Sequence, residues 1–140
     1  MWNTARPRDW MALYARVALS AAFLSAVASR FGWWSGRPWP EAFAGFVAYT
    51  AEVNAFMPPA AIPVLAWSAT AAETVLGVAL LLGVAAEWAA AGSAVLLALF
   101  ATAMALSQGV KSPLDYSVFS ASAAAVLLTD RLRRRAAARG

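Results

Sequence analysis

Long apolar runs separated by short polar interruptions dominate the chain from Trp10 onward. Residues 53–72 and 88–110 carry no charge at all, and the second run exceeds the roughly 18 apolar residues that suffice to cross a bilayer. The pattern predicts four membrane helices, at about residues 10–31, 60–83, 88–107 and 113–129. The first and last rely on polar ends, because their uncharged stretches cover only residues 17–29 and 116–129. Pro58, Pro59 and Pro63 punctuate the entry to the second helix, and Pro113 suits the first turn of the fourth. Between the first two lies FGWWSGRPWP, a Gly/Pro/Trp turn, followed by EAFAGFVAYTAEVNAF. There Phe43, Phe46, Val47 and Val53 recur at helical spacing, which predicts an amphipathic helix over about 41–56 lying at the interface. A lid embedded in the membrane is the competing reading of that segment. The expected fold is therefore all-α: an integral membrane four-helix bundle in a single domain, with an interfacial helix between helices 1 and 2 and a basic tail over 130–140.

Composition strengthens the membrane reading. The 140 residues are 62% hydrophobic and only 13% charged, too few charges to cover a water-facing surface in the ordinary way. Cysteine and histidine are both absent, so disulfides, thiol relays, iron–sulfur clusters and His-ligated haem or zinc fall away, and no metal is expected. The basic balance does not point to nucleic acid, because five of the eleven cations (Arg131, Arg133, Arg134, Arg135, Arg139) cluster at the end of an apolar segment. That placement reads as a topology anchor on the anionic cytoplasmic leaflet. With Arg6, Arg8 and Arg16 they stand against Arg30, Arg37 and Lys111, which predicts a multi-pass inner-membrane protein with both termini in the cytoplasm. Trp2, Trp10, Trp33, Trp34 and Trp39 fall where aromatic belts are expected. Arg6, Arg8, the apolar run 17–24 and the small residues 26–29 mimic a cleavable signal peptide, yet the first helix is expected to be retained.

The order and spacing of ARVALSAAFLSAVASRFGWW, FVAYT, TAAETVLGVALLLG and GVKSPLDYSVFSASAAAVLL resemble the DoxX family of small four-helix bacterial and archaeal membrane proteins. The resemblance runs from about Arg16 to Leu128. It implies a component of a membrane oxidoreductase system, some relatives being similar to subunits of a thiosulfate:quinone oxidoreductase. Where related sequences often end helix 1 with lysine, this chain has Arg30. Glu73 and Gly77 match the family's pattern.

One residue stands out within the apolar runs. Glu73 is the only ionisable side chain between Glu52 and Glu87, and a charge in hydrocarbon costs several kcal/mol unless paired. Arg16 enters helix 1 at a depth within about one turn of Glu73 in helix 2, at 1.5 Å per residue. An Arg16–Glu73 ion pair is therefore expected, either as a clamp that fixes helix register or as part of a quinone- or proton-handling site. Thr70, Thr74 and Gly77 share the face of Glu73 and would line such a site, or else simply pack. A second polar group, Arg30, Gln108, Lys111, Asp115 and Tyr116, is expected at the outer side as a mouth admitting a polar headgroup. The simpler explanation of Asp115 is a favourable place in the first turn of helix 4.

The function expected from these observations is a non-catalytic or quinone-associated component of a membrane oxidoreductase system. A quinone is the one cofactor implied, and haem and metal are not expected. Its partners would be the lipid bilayer and either oxidoreductase subunits or further copies of the chain, with no nucleic acid. Two alternatives remain: a small proton-coupled transporter using Glu73, and a purely structural or assembly subunit.

Overall fold

In the computed structural model, which describes residues 9–140, the chain forms six α-helices. They are α1 (Trp10–Arg30), α2 (Trp39–Val53), α3 (Ile62–Leu82), α4 (Ala86–Gln108), α5 (Lys111–Asp115) and α6 (Val118–Ala137), with a 3-10 turn at Pro59–Ala61 leading into α3. The boundaries have local causes. Asp9 caps α1, its Oδ1 accepting from the Ala12 N–H at 3.1 Å. Prolines 59 and 63 occupy first-turn positions of the 3-10 turn and of α3, where a missing N–H costs nothing. Gly83 ends α3 in the left-handed region, φ 75°, and its N–H and that of Val84 both return to the Ala79 carbonyl. The turn that follows is so short that α3 and α4 must run antiparallel as neighbours.

Among the four longest helices, α1 packs chiefly on α3 and α4 on α6, while α3–α4 and α1–α6 contacts join the two pairs. The core is built from small side chains (Ala12, Ala89, Ala90, Ala94, Ala125) around Leu19, Phe23, Leu80 and Leu128. Small residues let backbones approach, and buried hydroxyls then bridge them: Ser20 donates to the Gly77 carbonyl at 2.7 Å and Ser122 to the Ala94 carbonyl at 2.9 Å. The outside is as apolar as the inside, with Val75, Leu99, Leu106 and Leu127 all exposed. Such a surface suits lipid rather than water. Trp33, Trp34 and Trp39 ring one end, and Trp10 and Trp88 the other. Trp2, Arg6 and Arg8, which entered the belt and topology readings, lie outside the described residues.

Three helical stretches are long and apolar enough to cross a membrane: Trp10–Arg30, Pro59–Leu82 and Ala86–Gln108. The expected fourth helix over 113–129 is not a single element. The chain breaks after α5, Tyr116 closes the turn onto the Ser112 and Leu114 carbonyls, and Ser117 takes φ 56° before α6 begins. Asp115 consequently ends α5 instead of opening the last helix, so the dipole explanation for it fails. The expected basic tail is also helical, because α6 continues to Ala137. Arginine is a good helix former, and these arginines find carboxylates on neighbouring helices. Their charge is what makes α6 too polar to count with the three apolar spans.

Candidate functional site

The carboxylate of Glu73 is buried with a cation beside it, and that cation is Arg30. Arg30 Nη2 lies 2.5 Å from Glu73 Oε2, with side chains 8% and 4% exposed. Arg30 Nη1 donates to Thr70 Oγ1 at 3.0 Å, and Thr70 in turn donates to the Ala66 carbonyl. At that separation the guanidinium is the immediate counter-charge of the buried carboxylate. Removing either partner would leave the other uncompensated, which makes the pair a clamp between α1 and α3.

The expected Arg16–Glu73 pair does not form, and side-chain direction explains why. Ser20 sits opposite Gly77, so the antiparallel register places Leu24 opposite Glu73. Arg16 is then about 12 Å from that level and Arg30 about 9 Å, at 1.5 Å per residue. Helical side chains lean toward the N-terminus of their own helix. In antiparallel neighbours Arg30 and Glu73 therefore lean toward each other, while Arg16 leans away. Arg16 instead caps the end of α3, donating from Nε to the Leu80 carbonyl at 2.9 Å and from Nη2 to the Leu81 carbonyl at 3.3 Å. Of the other residues expected on the Glu73 face, Thr70 joins the pair. Thr74 returns its hydroxyl to the Thr70 carbonyl, and Gly77 is a packing contact whose added Cβ would lie 3.0 Å from Leu24 Cγ.

Helix α2 closes the site. Phe46 lies under the Arg30 guanidinium, 3.7 Å from ring centroid to Cζ, a cation–π contact in a desolvated setting. Phe43 is buried and stacks on Trp67 of α3 at 4.2 Å between centroids, with Phe31 and Phe46 also packed against it. The segment over 41–56 thus supplies the aromatic cover of a buried ion pair, the work of a lid. Two surface hollows lie nearby in the fold, one between α3 and α4 (Ala72, Leu76, Trp88, Gly92) and one between α2 and the start of α3 (Val47, Ala51, Ile62). Neither is lined by Arg30 or Glu73.

The outer polar group is not assembled into one mouth. Lys111 and Asp115 pair with each other on exposed α5, Ser112 donates to Gln108 Oε1, and Tyr116 is exposed, whereas Arg30 is committed to Glu73. Sequence reasoning missed the polar cluster at the opposite end. Asp9, 1% exposed at its side chain, is paired with Arg131 at 2.5 Å and Arg135 at 3.0 Å, and Glu87 with Arg133 at 2.9 Å. These pairs fasten the far end of α6 to the starts of α1 and α4. The Arg131 hydrogen bond, foremost, holds the Asp9 carboxyl below its ordinary value of 3.8. The i,i+4 spacing of Arg131 and Arg135 was the available signal, since it puts both on one helix face.

The family model of methylamine utilisation protein MauE matches residues 8–114, ending inside α5. No curated protein and no solved structure matches the chain. The match overturns the resemblance to DoxX, and leaves the implied quinone without support. The segments behind that resemblance are apolar helices of generic composition, which many small membrane proteins share.

Proposed function

The chain belongs to the family of methylamine utilisation protein MauE, and from that premise we propose that it is a non-catalytic membrane accessory of a methylamine-utilisation system. The observation that carries the non-catalytic part is the Arg30–Glu73 pair: the one carboxylate inside the apolar bundle is already neutralised, beneath an aromatic cover. With no cysteine or histidine in the sequence, the chain's own side chains offer little else for chemistry. Its partners, on this reading, are oxidoreductase-related proteins of that system.

The proposed arrangement in the inner membrane is four crossings, α1, α3, α4 and the broken α5–α6 unit, with both termini cytoplasmic. The Asp9–Arg131 and Asp9–Arg135 pairs support it, because they hold the start of α1 and the end of α6 together at one end of the molecule. The excess of arginine at that end supports its orientation. A proton-coupled transporter built on Glu73 is disfavoured, since Arg30 would have to leave first.

The test is complementation of a methylamine-using bacterium that lacks its own member of the family. The intact chain is expected to restore growth on methylamine as sole nitrogen source, and so is the double replacement Arg30→Met with Glu73→Met. Failure of the intact chain, once shown to reach the membrane, would sink the accessory reading. Failure of the folded double variant alone would give Glu73 a functional part.

A further inference from the structure

The arginines at the end of α6 share a habit of bonding. Arg131, Arg133 and Arg134 each donate from Nε, to Asp9, Glu87 and Asp130 in turn, and Arg135 also meets Asp9 through Nε. No directed hydrogen bond runs from their Nη1 or Nη2 groups to a described residue. The side chains are between 40 and 79% exposed, so the unused forks reach solvent. The carboxylates have thus already immobilised the long stems while leaving the part of guanidinium that best matches a phosphate. At about 100° per residue the four encircle the helix. Arg131 and Arg135 lie toward α1, Arg133 toward α4, and Arg134, held among the described residues by Asp130 of its own helix, belongs to neither interface.

The depth of this ring is marked by tryptophan. Trp10 adjoins Asp9 and Trp88 adjoins Glu87, and both indoles are about 70% exposed. Interfacial indoles beside the carboxylates that position the arginines place the guanidinium forks at headgroup level. We propose that this collar is a binding site for anionic glycerophospholipid, with the phosphodiester held by the Nη groups of Arg133 and Arg134 and the acyl chains lying along the apolar outer face of α6. The three carboxylates do not cancel the function; they position the forks. Four guanidiniums against three carboxylates also leave the collar cationic, with Arg139 beyond it.

Positioning separates this site from diffuse attraction to a charged leaflet. The full chain in non-ionic detergent would be titrated with phosphatidylglycerol, phosphatidylcholine and glycerol phosphate, and bound lipid read by native mass spectrometry alongside the melting shift. Phosphatidylglycerol should bind, phosphatidylcholine at least tenfold more weakly, and free glycerol phosphate should cause no shift. Arg133→Gln and Arg134→Gln should each lower phosphatidylglycerol affinity about fivefold, the equivalent of about 1 kcal/mol per cation. Glu87→Gln with Asp130→Asn keeps every arginine and makes the end more positive. Diffuse attraction then predicts tighter binding, whereas a positioned site predicts weaker binding. Tighter or unchanged binding in that variant, equal binding of the two lipids, or a shift with glycerol phosphate alone would overturn the proposal.

Discussion

Replacing Glu73 with methionine strands a guanidinium that is only 8% exposed, and replacing Arg30 with methionine strands a carboxylate that is 4% exposed. Breaking a buried pair from one side costs roughly 3–5 kcal/mol. The two losses should differ. Without Glu73, Arg30 keeps the Thr70 hydroxyl as acceptor and the Phe46 ring beneath it, which puts Glu73→Met near the lower bound, about 3 kcal/mol. Without Arg30, the carboxylate loses the cation beside it, so Arg30→Met should approach the upper bound, limited only by uptake of a proton. The double variant replaces both charges with apolar chains of similar length and should lie within about 1–2 kcal/mol of the parent, as apolar replacements of buried pairs generally do. Melting in detergent, followed by loss of the monodisperse peak on size exclusion, would then show falls of about 10 °C or more for the singles. The double should recover most of that loss, for an interaction energy of about 6 kcal/mol. Losses that simply add in the double variant would refute the clamp.

Three further outcomes follow from other contacts. Gly83→Ala should destabilise by about 1–2 kcal/mol, since it forces a β-carbon into the left-handed region and places that carbon 2.5 Å from Arg16 Nη2, displacing the cap on α3; circular dichroism melts check this, and no change would show that Arg16 adjusts freely. Asp9 has a folded pKa below its ordinary 3.8, so its contribution is complete above that value and is lost as the pH falls through the depressed one. The stability difference between the parent and Asp9→Asn should therefore be flat above about pH 5 and shrink below about pH 4. A single cysteine at Ala138 in this cysteine-free chain should label only from the cytoplasmic side, and labelling from outside would reverse the proposed orientation.

Residue pattern alone made the apolar helices visible, because an uncharged run such as 88–110 has few alternatives to a buried or lipid-facing helix. Glu73 was visible for the converse reason, as a lone charge in such a run. Its partner was not. Depth along a helix can be counted from sequence, but the reach of two side chains also depends on which way each leans, and that favours Arg30 over Arg16. The break at Ser117 was hidden as well, since a serine at positive φ leaves no compositional mark of the kind glycine leaves. The arginine run was read for its charge, and charge alone does not reveal that Arg131 and Arg135 share the α1-facing side while Arg133 faces α4. The family resemblance failed because helix order and hydropathy specify an architecture more readily than a family.

The clamp also bears on how the chain enters the bilayer during synthesis. Arg30 emerges from the ribosome 40 residues ahead of Thr70, a delay of about 2–8 s at 5–20 residues per second. Through that interval the guanidinium stands at the last residue of α1, where a long stem lets it rest among headgroups instead of lingering in hydrocarbon. Glu73 has no such refuge, being in the middle of α3 on a shorter stem. The cation that can wait is made first, and the anion that cannot arrives to find it in place. Exchanging the two residues would keep the pair on paper but reverse that order, leaving the shorter carboxylate stem to wait at the end of α1 and sending the arginine into the middle of α3.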